Sequence, residues 1–196
     1  MRPTPLYQIT DEQRDSVYEP AEDTFLLLDA LEKDAESEVV VLKLPDELVF
    51  LQALEQLKPN VILEIGSGTG SAAQLNSASV EAIQCDLLSA LSYRLCGLVD
   101  VLLFNPPYVP TEHEATSDYD RCWAGGPTGR SAVDRLFAKL PEILAPGGFF
   151  YVVALQSNNV VDMLAHNQSA FSSKILLERR CGSEYLFVLK FTRLKY

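Results

Sequence analysis

The run Val99-Asp100-Val101-Leu102-Leu103-Phe104-Asn105-Pro106-Pro107-Tyr108 decides how the rest of this sequence is read. Six residues dominated by β-branched and large apolar side chains predict a strand buried on both faces, as in a parallel sheet. Pro106 and Pro107 carry no backbone N–H, so no ladder continues through them and the strand ends there. Each proline also pushes the residue before it toward extended geometry, which fixes the path of the next carbonyls. The strand therefore exits into an amide side chain, two rigid carbonyls and an aromatic ring. The side-chain oxygen of Asn105 and the carbonyl of Pro106 can each accept one N–H, while a proline ring or Tyr108 covers the flat face. Such a set suits a planar –NH2 group. An Asn-Pro pair alone marks a strand-ending turn; the buried strand before it and a glycine loop upstream argue for a site.

That loop follows a second predicted strand, Val61-Ile62-Leu63-Glu64-Ile65, and reads Gly66-Ser67-Gly68-Thr69-Gly70. Glycines permit the tight turn and let backbone N–H groups approach a ligand closely. Glu64 just before the loop would repel a pyrophosphate but suits the cationic end of an amino acid. Upstream, Pro20 and the acids Glu19, Glu22 and Asp23 stand where a helix N-terminus favours them, and Phe25, Leu27, Leu28 and Leu31 continue as an apolar helical face. Residues 1–16 are polar and predict a surface arm. Val39–Leu44 reads as a short strand or apolar loop and Asp46–Leu57 as a helix. Val80–Leu88 predicts a strand ending in an acid, Asp86. After the acidic loop Thr111–Asp120, the stretch Trp123–Arg130 opens a helix over Ser131–Leu140. Pro146-Gly147-Gly148 predicts a turn before a strand over Phe149–Leu155. A short helix over Val160–His166 and strands over Ser173–Glu178 and Tyr185–Thr192 complete the chain. Strand–helix alternation ending in two neighbouring strands predicts one α/β domain over 1–196, mostly parallel, with an antiparallel C-terminal hairpin.

Composition narrows the function. A chain of 196 residues can bury one substantial core. The net charge of −11, with no Lys/Arg cluster, makes nucleic acid a poor partner. No apolar run is long enough to span a bilayer, and no basic, apolar leader follows Met1. The four cysteines form no Cys-x-x-Cys pair and there are two histidines, so the expectation is no metal site and free thiols. The expected compartment is the cytoplasm, with the nucleus as an alternative.

Four stretches occur here in one order: Tyr18-Glu19-Pro20-Ala21-Glu22-Asp23-Thr24, Glu64-Ile65-Gly66-Ser67-Gly68-Thr69-Gly70, Asn105-Pro106-Pro107-Tyr108 and Trp123-Ala124-Gly125-Gly126. Together they resemble the HemK family of S-adenosylmethionine-dependent methyltransferases, and within it the eukaryotic and archaeal branch that methylates release factors. Arg130–Phe137 and Val188–Thr192 resemble that branch as well. Asn-Pro-Pro-Tyr alone is also similar to adenine-N6 methyltransferases, so the combination carries the assignment. The resemblance implies a class I, Rossmann-like methyltransferase fold with S-adenosylmethionine across the carboxyl ends of two strands. It implies Thr24, Glu64, Gly66, Gly68, Asp86, Leu87 and Asn105 as cofactor-binding residues. It further implies Asn105, Pro106 and Tyr108 as catalytic, with Asn105, Pro106, Pro107 and Tyr108 holding the substrate. The implied reaction is N5-methylation of the glutamine in a Gly-Gly-Gln loop of a translation termination factor, with protein lysine methylation as a neighbouring reaction. The implied partner is a small zinc-binding activator protein, the zinc lying outside this chain.

One interval departs from the family. Between Gly70 and Val99 lie 28 residues, room for about one strand–helix–strand unit of roughly 30 residues, where the family places two further strands with their helices. By spacing, Asp86 stands where an acid would grip a ribose; by resemblance, Cys85-Asp86-Leu87-Leu88 marks the strand end beside the adenine. Either way one expected carboxylate is missing. The expectation is a fold lacking one strand–helix unit, weakened cofactor binding and, as the alternative function, an inactive short form that keeps only the partner-binding surface.

Overall fold

Five of the apolar runs become strands of one sheet in the computed structural model, which describes residues 19–38, 59–67, 81–113, 115–117 and 119–195. The strands are β1 (Ile62–Ile65), β2 (Val99–Phe104), β3 (Leu144–Leu155), β4 (Phe171–Cys181) and β5 (Glu184–Arg193), in the spatial order β1-β2-β3-β5-β4. The pairs β1–β2 and β2–β3 are parallel, while β5 runs antiparallel to both β3 and β4. A parallel half closed by an antiparallel hairpin is the topology the sequence predicts. In β2 only Asp100 is not buried. Its carboxylate accepts from the backbone N–H groups of Asn60 (2.7 Å) and Val61 (3.1 Å), which ties the entry of β1 to β2.

Successive side chains of a strand face opposite ways, and β2 divides two cores accordingly. Leu102 and Phe104 join Phe150, Val152, Leu189 and Phe191 under three short helices, α2 (Ser131–Phe137), α3 (Leu140–Ile143) and α4 (Val160–Leu164). Val101 and Leu103 join Tyr151, Val153, Leu186 and Val188 beneath one longer helix, α1 (Glu22–Glu38). Helix α1 buries Leu26, Leu27, Ala30 and Leu31, a stripe at helical spacing. The same stripe carries two carboxylates, Asp23 and Asp34, both almost wholly buried. Asp34 accepts from the Tyr151 hydroxyl at 2.7 Å and pairs with the buried ammonium of Lys190, with Lys174 at 3.4 Å. A buried charge is tolerated only when it is met in this way, so the pair fixes where the C-terminal half of α1 sits.

Three expectations are corrected. The helix over Ser131–Leu140 breaks after Phe137 and restarts at Leu140, because Pro141 has no N–H to give the carbonyl four residues back. The Pro146-Gly147-Gly148 turn is instead part of β3, accommodated by Gly147 at φ +82° and a register shift opposite Val99 and Val101. The strand over Val80–Leu88 is not formed: residues 81–84 join no ladder and 85–98 run through turns. There Ser89 N–H bonds the Asp86 carbonyl, Ser92 N–H the Leu88 carbonyl and Leu95 N–H the Leu91 carbonyl. Leu88, Leu91, Leu95 and Leu98 recur at helical spacing, and that period wins over the alternation before it. Among the described residues β1 therefore pairs with β2 alone. The expected surface arm, the Val39–Leu57 segment and Gly68 lie outside the described residues.

Candidate active site

The two prolines end β2 as the sequence predicts, and the chain that leaves it is held from both sides. On one side runs the loop Trp123–Gly129. Val109 N–H bonds the Trp123 carbonyl (3.0 Å), Gly125 N–H the Val109 carbonyl (2.8 Å) and Thr111 N–H the Gly126 carbonyl (2.9 Å). So close an approach needs glycine: a Cβ on Gly125 would stand 2.5 Å from the Pro107 carbonyl oxygen, and one on Gly129 would collide with that of Tyr108. Gly129 also sits at φ +68°, where a side chain is strained. Asn158, buried just past β3, completes this side. Its Nδ2 donates to the Tyr108 carbonyl (2.8 Å) and the Thr128 carbonyl (3.3 Å), and its Oδ1 accepts from Leu155 N–H (2.7 Å).

The other side is the N-terminus of α1. Asp23 accepts the backbone N–H of Thr24 at Oδ1 (2.8 Å). Its Oδ2 accepts Asn105 Nδ2 (3.0 Å) and the Tyr108 hydroxyl (2.9 Å). A carboxylate only accepts, so the amino side of the Asn105 amide must face it. The other side of that amide, Oδ1, is buried and meets no hydrogen-bond partner among the described residues. A buried acceptor left open costs about 1–3 kcal/mol unless something arrives to fill it. It is an acceptor awaiting a donor.

Across the parallel register, Glu64 lies beside Leu103 and Ile65 beside Phe104, so the acid that precedes the glycine loop ends up next to the strand exit. Burial raises the Glu64 carboxyl to about 7, with no cation among the described residues to offset it. A cation delivered there would be favoured. Gly66 turns the chain after β1 at φ +68°; an added Cβ would find ordinary space, so its backbone angle is what demands glycine.

Sequence reasoning placed Asn105, Pro106, Pro107, Tyr108, Glu64, Gly66 and Thr24 together, and all are found around this strand exit and the end of α1. It missed Asp23, which it took for an acid complementing a helix N-terminus. The available signal was its spacing: Asp23 falls on the apolar stripe of Leu26, Leu27 and Ala30. Tyr108, expected to cover a flat face, spends its hydroxyl on Asp23. Asp86 is exposed on a turn and ion-paired to Arg135 of α2, an exposed pair of small energetic weight. Leu87, at φ +49°, packs against the α2–α4 core. Nothing in the sequence marked Asn158.

No protein-family model matches the chain. Methyltransferase HEMK2 of Homo sapiens is 37% identical over 193 residues, covering 90% of each chain. The eRF1 methyltransferase catalytic subunit mtq2 of Schizosaccharomyces pombe is 32% identical over 220 residues, covering 91% of this chain and 90% of that protein. The chain belongs to the HemK family of methyltransferases. The fold of this HemK-family chain is also that of a solved structure, the E. cuniculi Mtq2-Trm112 complex. The two superpose with a TM-score of 0.62 at 24% identity, covering 91% of this chain and 99% of that one. The HEMK2 alignment is longer than the part of this chain it takes in, so the relative carries residues that this HemK-family chain lacks.

Proposed function

We propose that this chain methylates the side-chain amide nitrogen of a glutamine, the one in the Gly-Gly-Gln loop of a translation termination factor, using S-adenosylmethionine. The observation that carries the reading is Asn105 Oδ1: a buried, unpartnered acceptor at a rigid strand exit, with its own amino group already spent on Asp23. The names of the relatives agree, one being an eRF1 methyltransferase and another a putative protein N5-glutamine methyltransferase of Methanocaldococcus jannaschii. Glu64 fits the cofactor's ammonium, since a half-buried acid that meets no cation among the described residues gains from one. Gly66 and Thr24 would border the same end, and Asp86 and Leu87 the adenine, once Asp86 parts from Arg135. The cofactor supplies, when bound, a methyl group on a positively charged sulfur.

The chain's own task is orientation. An amide nitrogen is a weak nucleophile because its lone pair is delocalised, so holding it in line matters more than a base. Asn105 Oδ1 accepts one N–H of the glutamine and the Pro106 carbonyl accepts the other, which turns the lone pair toward the methyl. During transfer these two acceptors would hold the nitrogen's protons, one of which would then be lost to water.

The E. cuniculi structure pairs Mtq2 with Trm112, and we extend such a partnership to this chain, with a small zinc-binding activator as the partner. The test is mass spectrometry of a termination factor incubated with this chain, the activator and labelled cofactor. A single methyl on the Gly-Gly-Gln glutamine is expected. Asn105→Ala should abolish it while leaving cofactor binding largely intact; wild-type turnover in that variant, or a methyl only on lysine, would refute the reading.

A further inference from the structure

We propose that Asp23 is a positioning residue that decides what Asn105 offers to the substrate, and thereby makes the site select a nitrogen donor over a carboxylate. The inference rests on the glutamine reading above and deepens it. An asparagine amide is nearly symmetric in shape, so turning it over exchanges an acceptor for a donor at little steric cost, and only its neighbours choose. Asp23 makes that choice here. Its Oδ2 takes Asn105 Nδ2 at 3.0 Å and the Tyr108 hydroxyl at 2.9 Å, while Oδ1 is held by Thr24 N–H in the first turn of α1. Turning the amide over would press Asn105 Oδ1 against a carboxylate oxygen at a site where Asp23 is 3% exposed. With the turn forbidden, Oδ1 stays the atom left to meet a ligand, buried and without a hydrogen-bond partner among the described residues. Glutamine can donate to it. Glutamate, of the same size, cannot.

The experiment is calorimetry on the full chain, saturated with the demethylated cofactor so that nothing reacts, titrated with two peptides that differ only as Gly-Gly-Gln and Gly-Gly-Glu. The wild type should prefer glutamine by about tenfold or more, the cost of facing an acceptor with an acceptor. Asp23→Asn, nearly isosteric, can itself offer either N–H or C=O, so Asn105 becomes free to turn and the preference should fall below about threefold. The exchange variant D23N/N105D restores a donor against an acceptor-only group and should regain the preference; it also serves if D23N alone does not fold. Wild-type preference kept in D23N, or an equal loss of both peptides with the ratio unchanged, overturns the role given to Asp23. A wild type that does not prefer glutamine overturns the substrate reading itself and this proposal with it.

Discussion

Glu64 shows how one half-buried side chain couples solution conditions to this site. Its carboxyl is raised to about 7 by burial, whereas an unfolded chain would hold an ordinary glutamate near 4.3. Between these values the folded chain binds a proton that the unfolded chain does not. Stability therefore falls as pH rises through that window, by roughly 4 kcal/mol at most. Urea unfolding of the cofactor-free chain at pH 5 and pH 8 should show this loss, and Glu64→Gln should flatten it; an unchanged slope in the variant would remove Glu64 as its source. A bound cation reverses the preference by favouring the carboxylate. Cofactor binding near pH 6 should then release close to one proton, read from calorimetry in two buffers of different ionisation enthalpy, and E64Q should release none. Glu64 and Asn105 were legible because each flanks a chain breaker. Asp23 was not, since an acid at a helix start has an ordinary explanation.

Elements, rather than single groups, hold the strand exit rigid. Helix α1 is pinned through Asp34 to Lys190 and Tyr151, and from that anchor it presents Asp23 eleven positions away, about 16 Å along the helix. Opposite it, the Trp123–Gly129 loop and Asn158 clasp the chain that follows Pro107. Asn158→Ala leaves the carbonyls of Tyr108 and Thr128 and the N–H of Leu155 without this partner. A loss of roughly 2–4 kcal/mol in chemical denaturation is expected, against well under about 1 kcal/mol for the exposed Gln168→Ala. Parity of the two would show the clasp to be ornamental. The glycines of this loop were readable as a motif, but what they approach was not. A one-dimensional pattern reports that a Cβ is excluded, never which carbonyl excludes it. The misread strand over 80–88 has a similar cause, two periods overlapping in one leucine-rich stretch.

At the scale of the molecule, a mostly parallel sheet closed by an antiparallel hairpin was legible from buried runs, proline stops and the two adjacent final strands, whereas the order β1-β2-β3-β5-β4 came from the structure. What lay beyond reach was how the sheet ends at β1. Among the described residues β1 has β2 as its sole ladder partner, Ile62 is 45% exposed, and Asp86 stands on a surface turn rather than at a strand end. The human relative carries residues absent here, and the short interval after Gly70 is where the sequence has no room for a second acidic strand end. A carboxylate hydrogen bond to a ligand hydroxyl is worth about 1.5–3 kcal/mol, or roughly ten- to a hundredfold in affinity. Under matched conditions this chain should therefore bind S-adenosylmethionine at least about tenfold more weakly than human HEMK2, by calorimetry on the two proteins side by side. Grafting a strand–helix unit that ends in an acid into the interval should recover most of that difference. Equal affinities before any graft would mean that the cofactor never needed the missing carboxylate, and that Glu64 and the strand exit hold it on their own.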